Sequence, residues 1–322
     1  MSDIRVLYIA KFKEPTATHG AHEQHVVWAL REHGAVVHPL QAIASASLQR
    51  VVELIQSHNI NVVLFSKAQP KAIDSILTWC RAHNVLTVTW CWDLYWGYRP
   101  RKPRQFSADM LFTTDGGHLE HWQESGYNHQ TLRQGIHEGF CFMLPEEPRY
   151  DVGFVGTLYP QESIHPRRRE LLKHLSQNYN FCHLTKSRGE KLNEDLAKIK
   201  IVVGDSYPAP NYWSNRIYEL LGRGCFLLYP RTVGLEAEFK DGLHCVGFER
   251  GNYADLDEQI RRHLAYDCVR QEIKQEGFLH VKRNYTYTHR VRVLLQKIRE
   301  ALNGEKEAEN TDGQSGRESV TA

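Results

Sequence analysis

The alternation of short apolar runs with amphipathic stretches constrains the fold more than any other feature of this sequence. Apolar, β-branched runs recur at residues 4–10, 36–37, 61–65 and 85–90, with helical periodicity between them. A second alternation of the same kind begins at residue 151. Strands that alternate with helices form parallel sheets with right-handed crossovers. The sequence therefore predicts an α/β protein built from βαβ units.

A Pro-Glu-Glu-Pro segment at residues 145–148 separates the two alternations and is typical of a linker. Beyond Asn303 the chain is polar and has no aliphatic residue until Val320, which favours disorder. We expect two Rossmann-like domains facing a cleft, residues 1–147 and 148–303, with C-terminal helices closing the structure. Residues 304–322 are expected to form a disordered tail.

Charge and cysteine content exclude several classes of protein. The net charge is only +2, which argues against a general nucleic-acid binder. The seven cysteines are dispersed and never form a C-x-x-C pair, so neither a structural zinc site nor a disulfide framework is expected. No secretory signal and no apolar run of the roughly 20 residues needed to span a membrane is visible. The expected location is the cytoplasm.

Residues 214–221 have the pattern of a short amphipathic helix. Each helical residue advances about 100°, so one face is polar and the opposite face apolar. The polar face carries Asn215, Arg216, Glu219 and Arg223, and the apolar face carries Ile217, Leu220 and Leu221. Such a polar face either binds phosphate and sugar groups or is an exposed surface with an Arg216–Glu219 ion pair.

Two glycines are expected to end this helix. Gly222 and Gly224 follow its last apolar residue, where a left-handed backbone is common. The apolar run at residues 225–229, bounded by glycine and proline, then predicts a fully buried parallel strand.

Residues 90–104 break the alternation with an aromatic and basic segment that follows a predicted strand. Because ligands bind beyond the carboxyl ends of parallel strands, this segment is a candidate acceptor surface. Asp93 is a candidate general base, a ligand for a sugar hydroxyl, or a cap of the turn. Trp92 and Trp96 are candidate stacking groups, and Arg99 begins a run of four cations. A saccharide acceptor, a nucleic-acid strand and a hinge loop with core aromatics all remain open.

Three short motifs mark the second half of the chain. They are Phe-Val-Gly-Thr at residues 154–157, Asn-Arg-Ile-Tyr-Glu at 215–219 and Tyr-Thr-Tyr-Thr-His-Arg at 285–290. Together they resemble the donor-binding half of GT-B glycosyltransferases, with the closest likeness to the CgeB-like (spore-maturation) branch. The loop that contains Gly20 is similar to the glycine-containing loop that opens many of these enzymes.

This resemblance implies roles for the donor side. Gly156 and Thr157 would border the donor, and Glu219 would bind the nucleotide ribose as the second glutamate of a Glu-x7-Glu pattern. Asn211 stands where the first glutamate is usual; it can still hydrogen-bond a hydroxyl, but not as an ionised acceptor.

The resemblance also implies how the phosphates are held. The backbone of Tyr212, Ser214 and Asn215 would cradle the diphosphate. Arg216, or one of the consecutive arginines Arg167, Arg168 and Arg169, would neutralise it. Such enzymes stabilise the leaving diphosphate without a metal ion, so neither a metal nor a cofactor is expected. Arg216 and Asp93 are the expected catalytic residues, with Gly20, Trp92, Trp96 and Arg99 on the acceptor side.

The resulting expectation is a metal-independent glycosyltransferase that moves a sugar from a nucleoside diphosphate sugar to a hydroxyl acceptor. Alternatives are transfer to hydroxymethylated bases in DNA through residues 95–104, a nucleotide-sugar epimerase, and a non-catalytic nucleotide-sugar binding module. Asp255-Leu-Asp257 spells the metal-binding motif of another glycosyltransferase fold, but its place at a helix start favours a structural role.

Overall fold

The computed structural model describes residues 3–12, 22–42, 46–67, 70–94, 103–158, 165 and 167–315, with side chains up to residue 304. Two parallel sheets form its framework, as the alternation predicts. No helix of this described part is long and apolar enough to cross a membrane. All seven cysteines are free thiols.

The first sheet has six parallel strands in the order β2-β1-β3-β4-β5-β6. The strands are β1 (Arg5–Ala10), β2 (Val36–Gln41), β3 (Val62–Phe65), β4 (Leu86–Cys91), β5 (Met110–Thr113) and β6 (His129–Thr131). The helices that connect them are α1 (His22–Glu32), α2 (Leu48–His58), α3 (Ile73–Ala82) and α4 (Leu119–Glu124). Strands β3, β4 and β5 are buried along their whole length, which explains why they are rich in apolar and β-branched residues and carry no charged side chain.

The second sheet has five parallel strands in the order β11-β10-β9-β7-β8. The strands are β7 (Tyr150–Val155), β8 (Phe181–Leu184), β9 (Ile199–Val203), β10 (Leu227–Pro230) and β11 (Val246–Phe248). The helices are α5 (Arg168–Asn178), α6 (Gly189–Leu196), α7 (Arg216–Leu221), α8 (Tyr253–Ala265) and α9 (Asp267–Asn284). The strand predicted at residues 225–229 is therefore β10, displaced by one to two residues.

The second sheet has a separate core on each face. Leu196 of α6 and Ile217 of α7 share one core with Val202. Leu171 of α5 and Ile260 of α8 share the other core with Val203. Helices α5 and α8 therefore lie on one face of this sheet, and α6 and α7 lie on the other.

The last helix, α10 (Tyr287–Ser315), returns to the first domain. Its apolar stripe is buried in the same core as Val26 and Leu30 of α1; the stripe comprises Val291, Leu294, Leu295 and Ile298. The helix also continues past Asn303 to Ser315, within the segment for which the sequence predicts a disordered tail. These residues lack aliphatics for packing, but they include Glu305, Lys306 and Ala308, which have high intrinsic helix propensity.

One of the two helix-ending glycines behaves as predicted. Gly224 has a φ of +73°, which glycine adopts more readily than any other residue. Gly222, at the C-cap of α7, has a φ of −66° instead. Its smallness serves packing, because a Cβ there would come within 2.9 Å of Ile136.

The two domains meet at the loops that follow β5 and β9. The Gly116 amide donates to the Asn211 carbonyl at 3.3 Å, and Arg133 donates to the same oxygen at 2.7 Å. A Cβ on Gly117 would come within 2.0 Å of the Pro210 carbonyl oxygen. Backbone therefore packs on backbone here, and larger residues would separate the loops.

Candidate active site

The order of strands in the second sheet reverses at the pair β7–β9. The chain leaves β7 for β8 on one side and then crosses to β9 on the other. At such a point the carboxyl ends of the two strands leave a crevice in which α/β proteins bind ligands. Gly156 directly follows β7, and Asp205 lies two residues after β9. Residues around this crevice are therefore the candidate site.

Arg216 lies against the end of β7. Gly156 has a φ of +151°, and a Cβ on it would come within 3.2 Å of the Arg216 guanidinium. Glycine thus permits both the backbone conformation and the close approach of the guanidinium. Burial and the neighbouring Arg168 guanidinium lower the pKa of Arg216. Among the described residues Arg216 has no ion-pair partner.

Asp205 is the carboxylate at the centre of this crevice, and it is engaged by two other arginines. Arg168 Nε donates to Asp205 Oδ2 at 2.8 Å, and Arg250 Nη1 donates to Oδ1 at 3.2 Å. Asp205 is only 3% exposed. In the described part of the chain its ion pairs are with these arginines and His165, not with Arg216.

We call Arg168, Arg216 and Arg250 together the arginine edge. Their three guanidinium charges face one carboxylate, which leaves an excess of positive charge at the carboxyl ends of the strands. Arg168 also donates through Nη1 to the Thr157 carbonyl at 3.0 Å. Thr157 thus contributes its backbone to the site by fixing an arginine. An anion such as a phosphate would balance the excess charge.

The segment before α7 borders the same crevice. The Ser214 amide donates to the Tyr229 hydroxyl at 3.0 Å, and the Arg216 amide to Ser214 Oγ at 3.4 Å. The buried Asn215 Oδ1 has no hydrogen-bond partner among the described residues. Tyr212 lies on the same loop and is half-buried. Because α7 has only six residues, arginine charge rather than a helix dipole is the main attraction for phosphate here.

Glu219 pairs with Arg223, not with Arg216 as the alternative interpretation held. Glu219 Oε2 accepts from Arg223 Nη2 at 3.0 Å, while Arg223 also donates to the Gly189 carbonyl at 2.9 Å. Arg223 is 5% exposed, so the predicted polar face of α7 is partly buried. The second oxygen, Oε1, accepts no hydrogen bond within the described residues and is available to a ligand hydroxyl.

Asn211 occupies the junction between the domains. Its backbone φ is +49°, and its amide donates to the Val233 carbonyl at 2.7 Å. A Cβ on Gly234 would come within 1.7 Å of Asn211 Oδ1. The Asn211 side chain therefore packs over the turn after β10, beside the second domain's carboxyl edge.

On the first sheet, Asp93 follows β4 and is ion-paired. Its Oδ2 lies 2.7 Å from Lys67 Nζ, which follows β3. This pair links the ends of two neighbouring strands and differs from the simple turn cap considered for Asp93. The carboxylate is about one-third exposed, at 29%, and so is accessible to a ligand.

Trp92 is half-buried and packs on the core of the first domain rather than standing free as a platform. Its ring lies 5.8 Å from that of His22, at the start of α1. Its buried Nε1 has no hydrogen-bond partner among the described residues. The remaining acceptor-side residues Gly20, Trp96 and Arg99, like most of the loop 95–104, lie outside the described residues.

Sequence reasoning missed Asp205, Arg250 and the histidines of the domain junction. The rings of His25 and His137 are tilted by 46°, with their centroids 4.5 Å apart, and the Tyr287 hydroxyl is hydrogen-bonded to His22 Nδ1 at 2.8 Å. Asp205 and Arg250 each lie two residues after a strand, so the rule that ligands bind at carboxyl ends would have found them. The histidines come from distant segments and carry no local signal.

Asp255 and Asp257 serve local structure, as the helix-start interpretation holds. Asp255 accepts from Arg231 Nη1 at 2.9 Å, and Asp257 accepts from Tyr179 and from His174 at 2.8 Å. Among the described residues no group of three or more histidine, cysteine or acidic side chains has the geometry of a metal site.

Comparison with known proteins supplies the class of activity. Residues 138–296 match the family model described as glycosyl transferase-like. The chain carries a glycosyltransferase domain. The matched region contains β7–β11 and the whole arginine edge of this glycosyltransferase. No curated protein matches the chain in a sequence comparison.

Solved structures show that the glycosyltransferase has the GT-B fold. Sucrose-phosphate synthase from Thermosynechococcus elongatus superposes with a TM-score of 0.64 at 12% identity, over 94% of this chain and 100% of that one. The Anabaena protein HepE, in complex with UDP, gives 0.60 at 11%, over 92% and 100%. An alpha-glucosyltransferase in complex with UDP and a 13-mer DNA containing a HMU base gives 0.64 at 7%, over 92% and 99%.

Proposed function

We propose that the chain transfers a sugar from a nucleoside diphosphate sugar, held on the second domain, to a hydroxyl acceptor held on the first. The arginine edge carries this proposal. Arg216 lies beside Gly156 and has no carboxylate partner among the described residues, whereas Asp205 is shared by Arg168 and Arg250. The diphosphate is the part of a nucleotide sugar that would bind to such a cluster of cations.

The chemistry follows from where charge develops. As the bond between the sugar and the diphosphate breaks, negative charge grows on the leaving phosphate oxygens. Fixed guanidinium groups that face these oxygens stabilise the transition state more than the ground state. Arg216, with Arg168 behind it, supplies this charge without a metal ion. In this proposal Oε1 of Glu219 binds the ribose.

The acceptor would approach from the first sheet. Asp93 is a partly exposed carboxylate at its carboxyl edge, and its Oδ2 lies 2.7 Å from Lys67 Nζ. In this proposal Asp93 accepts the proton of the attacking hydroxyl. The unpartnered Nε1 of Trp92 would donate a hydrogen bond to another acceptor oxygen.

A calorimetric titration with UDP, GDP, ADP and dTDP tests the donor half of the proposal. UDP is the first choice because structures of HepE and of an alpha-glucosyltransferase were solved with it. Binding of one nucleotide, lost in Arg216→Gln, is expected. If none of the four binds the folded protein, the donor assignment is wrong.

A hydroxymethylated base in DNA is a second candidate acceptor. The alpha-glucosyltransferase solved with DNA shares the fold, and four cations lie between residues 99 and 104. We favour a saccharide or other small hydroxyl acceptor, because the net charge is only +2. Tight duplex binding that weakens steeply between two salt concentrations would favour DNA instead.

We also infer that the chain is a member of the CgeB-like branch, because it carries the motifs at residues 154–157, 215–219 and 285–290. We further infer that it works in a reducing compartment, which suits its seven free thiols.

Asn211 in place of a glutamate bears on the alternative functions. An epimerase would convert the donor with no acceptor present, and a binding module would hold the nucleotide without turnover. Nucleotide release that depends on an added acceptor excludes both.

A further inference from the structure

A small pocket lies beside the arginine edge, between the first turns of α5 and α8. Its polar lining comprises Arg167, Arg168, Asp205, Arg250 and Tyr253, with Gly251 at the entry to α8. We call it the outer pocket. Leu171 and Phe248, which form its apolar wall, belong to the core on the α5–α8 face of the sheet. Arg216 does not line this pocket. It begins α7, which packs on the opposite face of the sheet, and so we distinguish the outer pocket from the position beside Gly156 where Arg216 lies.

Polar groups in this pocket are left unsatisfied by the protein. Arg168 is 3% exposed, and its Nη2 has no hydrogen-bond partner among the described residues. The same holds for the buried Nδ1 of His165, which lies 3.8 Å from Asp205. Burial lowers the pKa of His165 to about 4, so its imidazole is neutral at pH 7. A buried arginine N–H without an acceptor is costly, and a bound anion would supply one.

Asp205 is the one carboxylate among the residues that line the pocket, and it is already engaged. Both of its oxygens are already taken, Oδ2 by Arg168 Nε at 2.8 Å and Oδ1 by Arg250 Nη1 at 3.2 Å. Three guanidinium groups line the pocket against this one carboxylate. The pocket therefore remains cationic after its internal ion pairs are counted.

The third arginine is held at the mouth of the pocket by an unusual backbone. Arg167, the N-cap of α5, is exposed and has a φ of +66°. Gly251 has a φ of +81°, and a Cβ on it would come within 2.3 Å of Arg167 Nη1. Arg167 therefore reaches across from α5 to the start of α8. The first turns of these helices, of 11 and 13 residues, add their own attraction for an anion.

We propose that the outer pocket binds a second anionic group, a phosphate or carboxylate carried by one of the two substrates. The inference rests on the proposed function, because it assigns the diphosphate to Arg216 and Gly156 and the second anion to Arg167, Arg168 and Arg250. Guanidinium groups bind either anion through paired N–H donors. The anion comes either from a charged donor sugar or from a charged acceptor.

Calorimetric titration of inorganic phosphate into the full chain saturated with UDP tests this. Phosphate is expected to bind the UDP complex, and at least tenfold more weakly in Arg250→Gln and in Arg167→Gln. Arg167 is exposed, so its variant remains informative even if Arg250→Gln fails to fold. Arg261→Gln, on the outer part of α8 with its side chain 67% exposed, is the matched control and should bind like wild type.

Two results of this titration would overturn the inference. In one, UDP displaces phosphate competitively, which would make the outer pocket part of the diphosphate seat. In the other, both variants bind phosphate as the wild type does. Failure of UDP itself to bind the wild type would instead count against the proposed function, so the two failures are distinguishable.

UDP-glucuronate and UDP-glucose then separate the two sources of the anion. If the donor sugar carries it, UDP-glucuronate binds at least tenfold more tightly than UDP-glucose, and Arg167→Gln removes the difference. If the acceptor carries it, the two donors bind alike, and phosphate inhibits transfer competitively with the acceptor. Phosphate that inhibits competitively with neither substrate would contradict the inference.

Discussion

The carboxyl edges of the two sheets differ in charge although the strands follow the same order. In both sheets the second strand lies outside the first, and the third, fourth and fifth follow on the other side. The second sheet ends in the arginine edge, with one carboxylate among three guanidinium groups. The carboxyl edge of the first sheet carries the Asp93–Lys67 ion pair and the buried Asp115, which contacts His118 and Trp122.

The difference teaches where the chemistry of such a fold resides. Strand order fixes only the position of the crevice. The residues immediately after each strand decide whether that crevice attracts a phosphate or a neutral hydroxyl group. On this chain an anionic leaving group fits the second edge and an acceptor hydroxyl fits the first. The predictions below test this division.

Asp93→Asn should have the largest effect. If Asp93 accepts the acceptor proton, its loss lowers kcat by about 10²–10⁴-fold, whereas UDP binding stays unchanged because the donor lies on the other edge. Steady-state kinetics and calorimetry measure the two effects. Asp74→Asn, an exposed carboxylate of α3 paired with Arg104, is the matched control. A fall of less than tenfold would mean that Asp93 only orients the hydroxyl.

Arg216→Gln should follow in size. Removing one preorganised donor to a developing anion typically costs about 10²–10³-fold in kcat, and UDP should bind more weakly as well. Arg231→Gln changes an exposed arginine just after β10, which is paired with Asp255 at 2.9 Å, and should act like wild type. Equal losses of kcat and of UDP affinity in the two variants would indicate a general effect of positive charge and not a specific diphosphate site at Arg216.

The sequence anticipated more of the second edge than of the first. Gly156, Arg216 and Glu219 could be placed because local motifs and helical spacing put them near one strand end. Lys67 beside Asp93 and Tyr287 beside His22 could not, since each contact joins segments far apart in the chain. The packing of α10 on the first domain is likewise a long-range contact. Its apolar stripe could pack against either domain, so the sequence alone does not predict which one.

Glu219→Ala should weaken nucleotide binding by about 1.5–3 kcal/mol, the usual size of a hydrogen bond to a charged group. The ribose then loses its acceptor. Arg223 loses an ion-pair partner but keeps the Gly189 carbonyl, so the fold should persist. Calorimetry with UDP, together with a thermal melt, separates the two effects. Unchanged affinity in the folded variant would remove Glu219 from the donor site.

Acidification should destabilise the histidine-rich junction of the first domain. Burial, and next the neighbouring His137, lower the pKa of His25 to about 2, against about 6.5 in an unfolded chain. Below pH 6.5 His25 binds a proton in the unfolded chain but stays unprotonated in the folded protein. Stability is therefore lost as the pH falls from about 6.5 towards 2. Between pH 6.5 and 5 this single group costs about 2 kcal/mol.

Urea unfolding at pH 7.5, 6.5 and 5 measures this loss. His25→Phe keeps a ring beside His137 and Tyr287 but cannot titrate, and it should be about 2 kcal/mol less sensitive to acid over that range. His25→Gln is a second variant that keeps polarity without titration. The same acid sensitivity in wild type and both variants would mean that His25 does not couple folding to protonation.

Removal of divalent metal ions should have the smallest effect, which is none on turnover. The leaving diphosphate needs positive charge, and Arg216 already provides it beside Gly156 at the end of β7. The acidic pair that spells a metal-binding motif is engaged elsewhere, Asp255 with Arg231 and Asp257 with His174. Turnover in excess EDTA should thus stay within about twofold of that with added Mg²⁺ or Mn²⁺, because preorganised cations do the work of a bound ion. Activity abolished by EDTA and restored by Mn²⁺ would show that guanidinium charge is insufficient. The donor side would then require a bound metal ion in addition to the arginines that distinguish its edge from that of the first sheet.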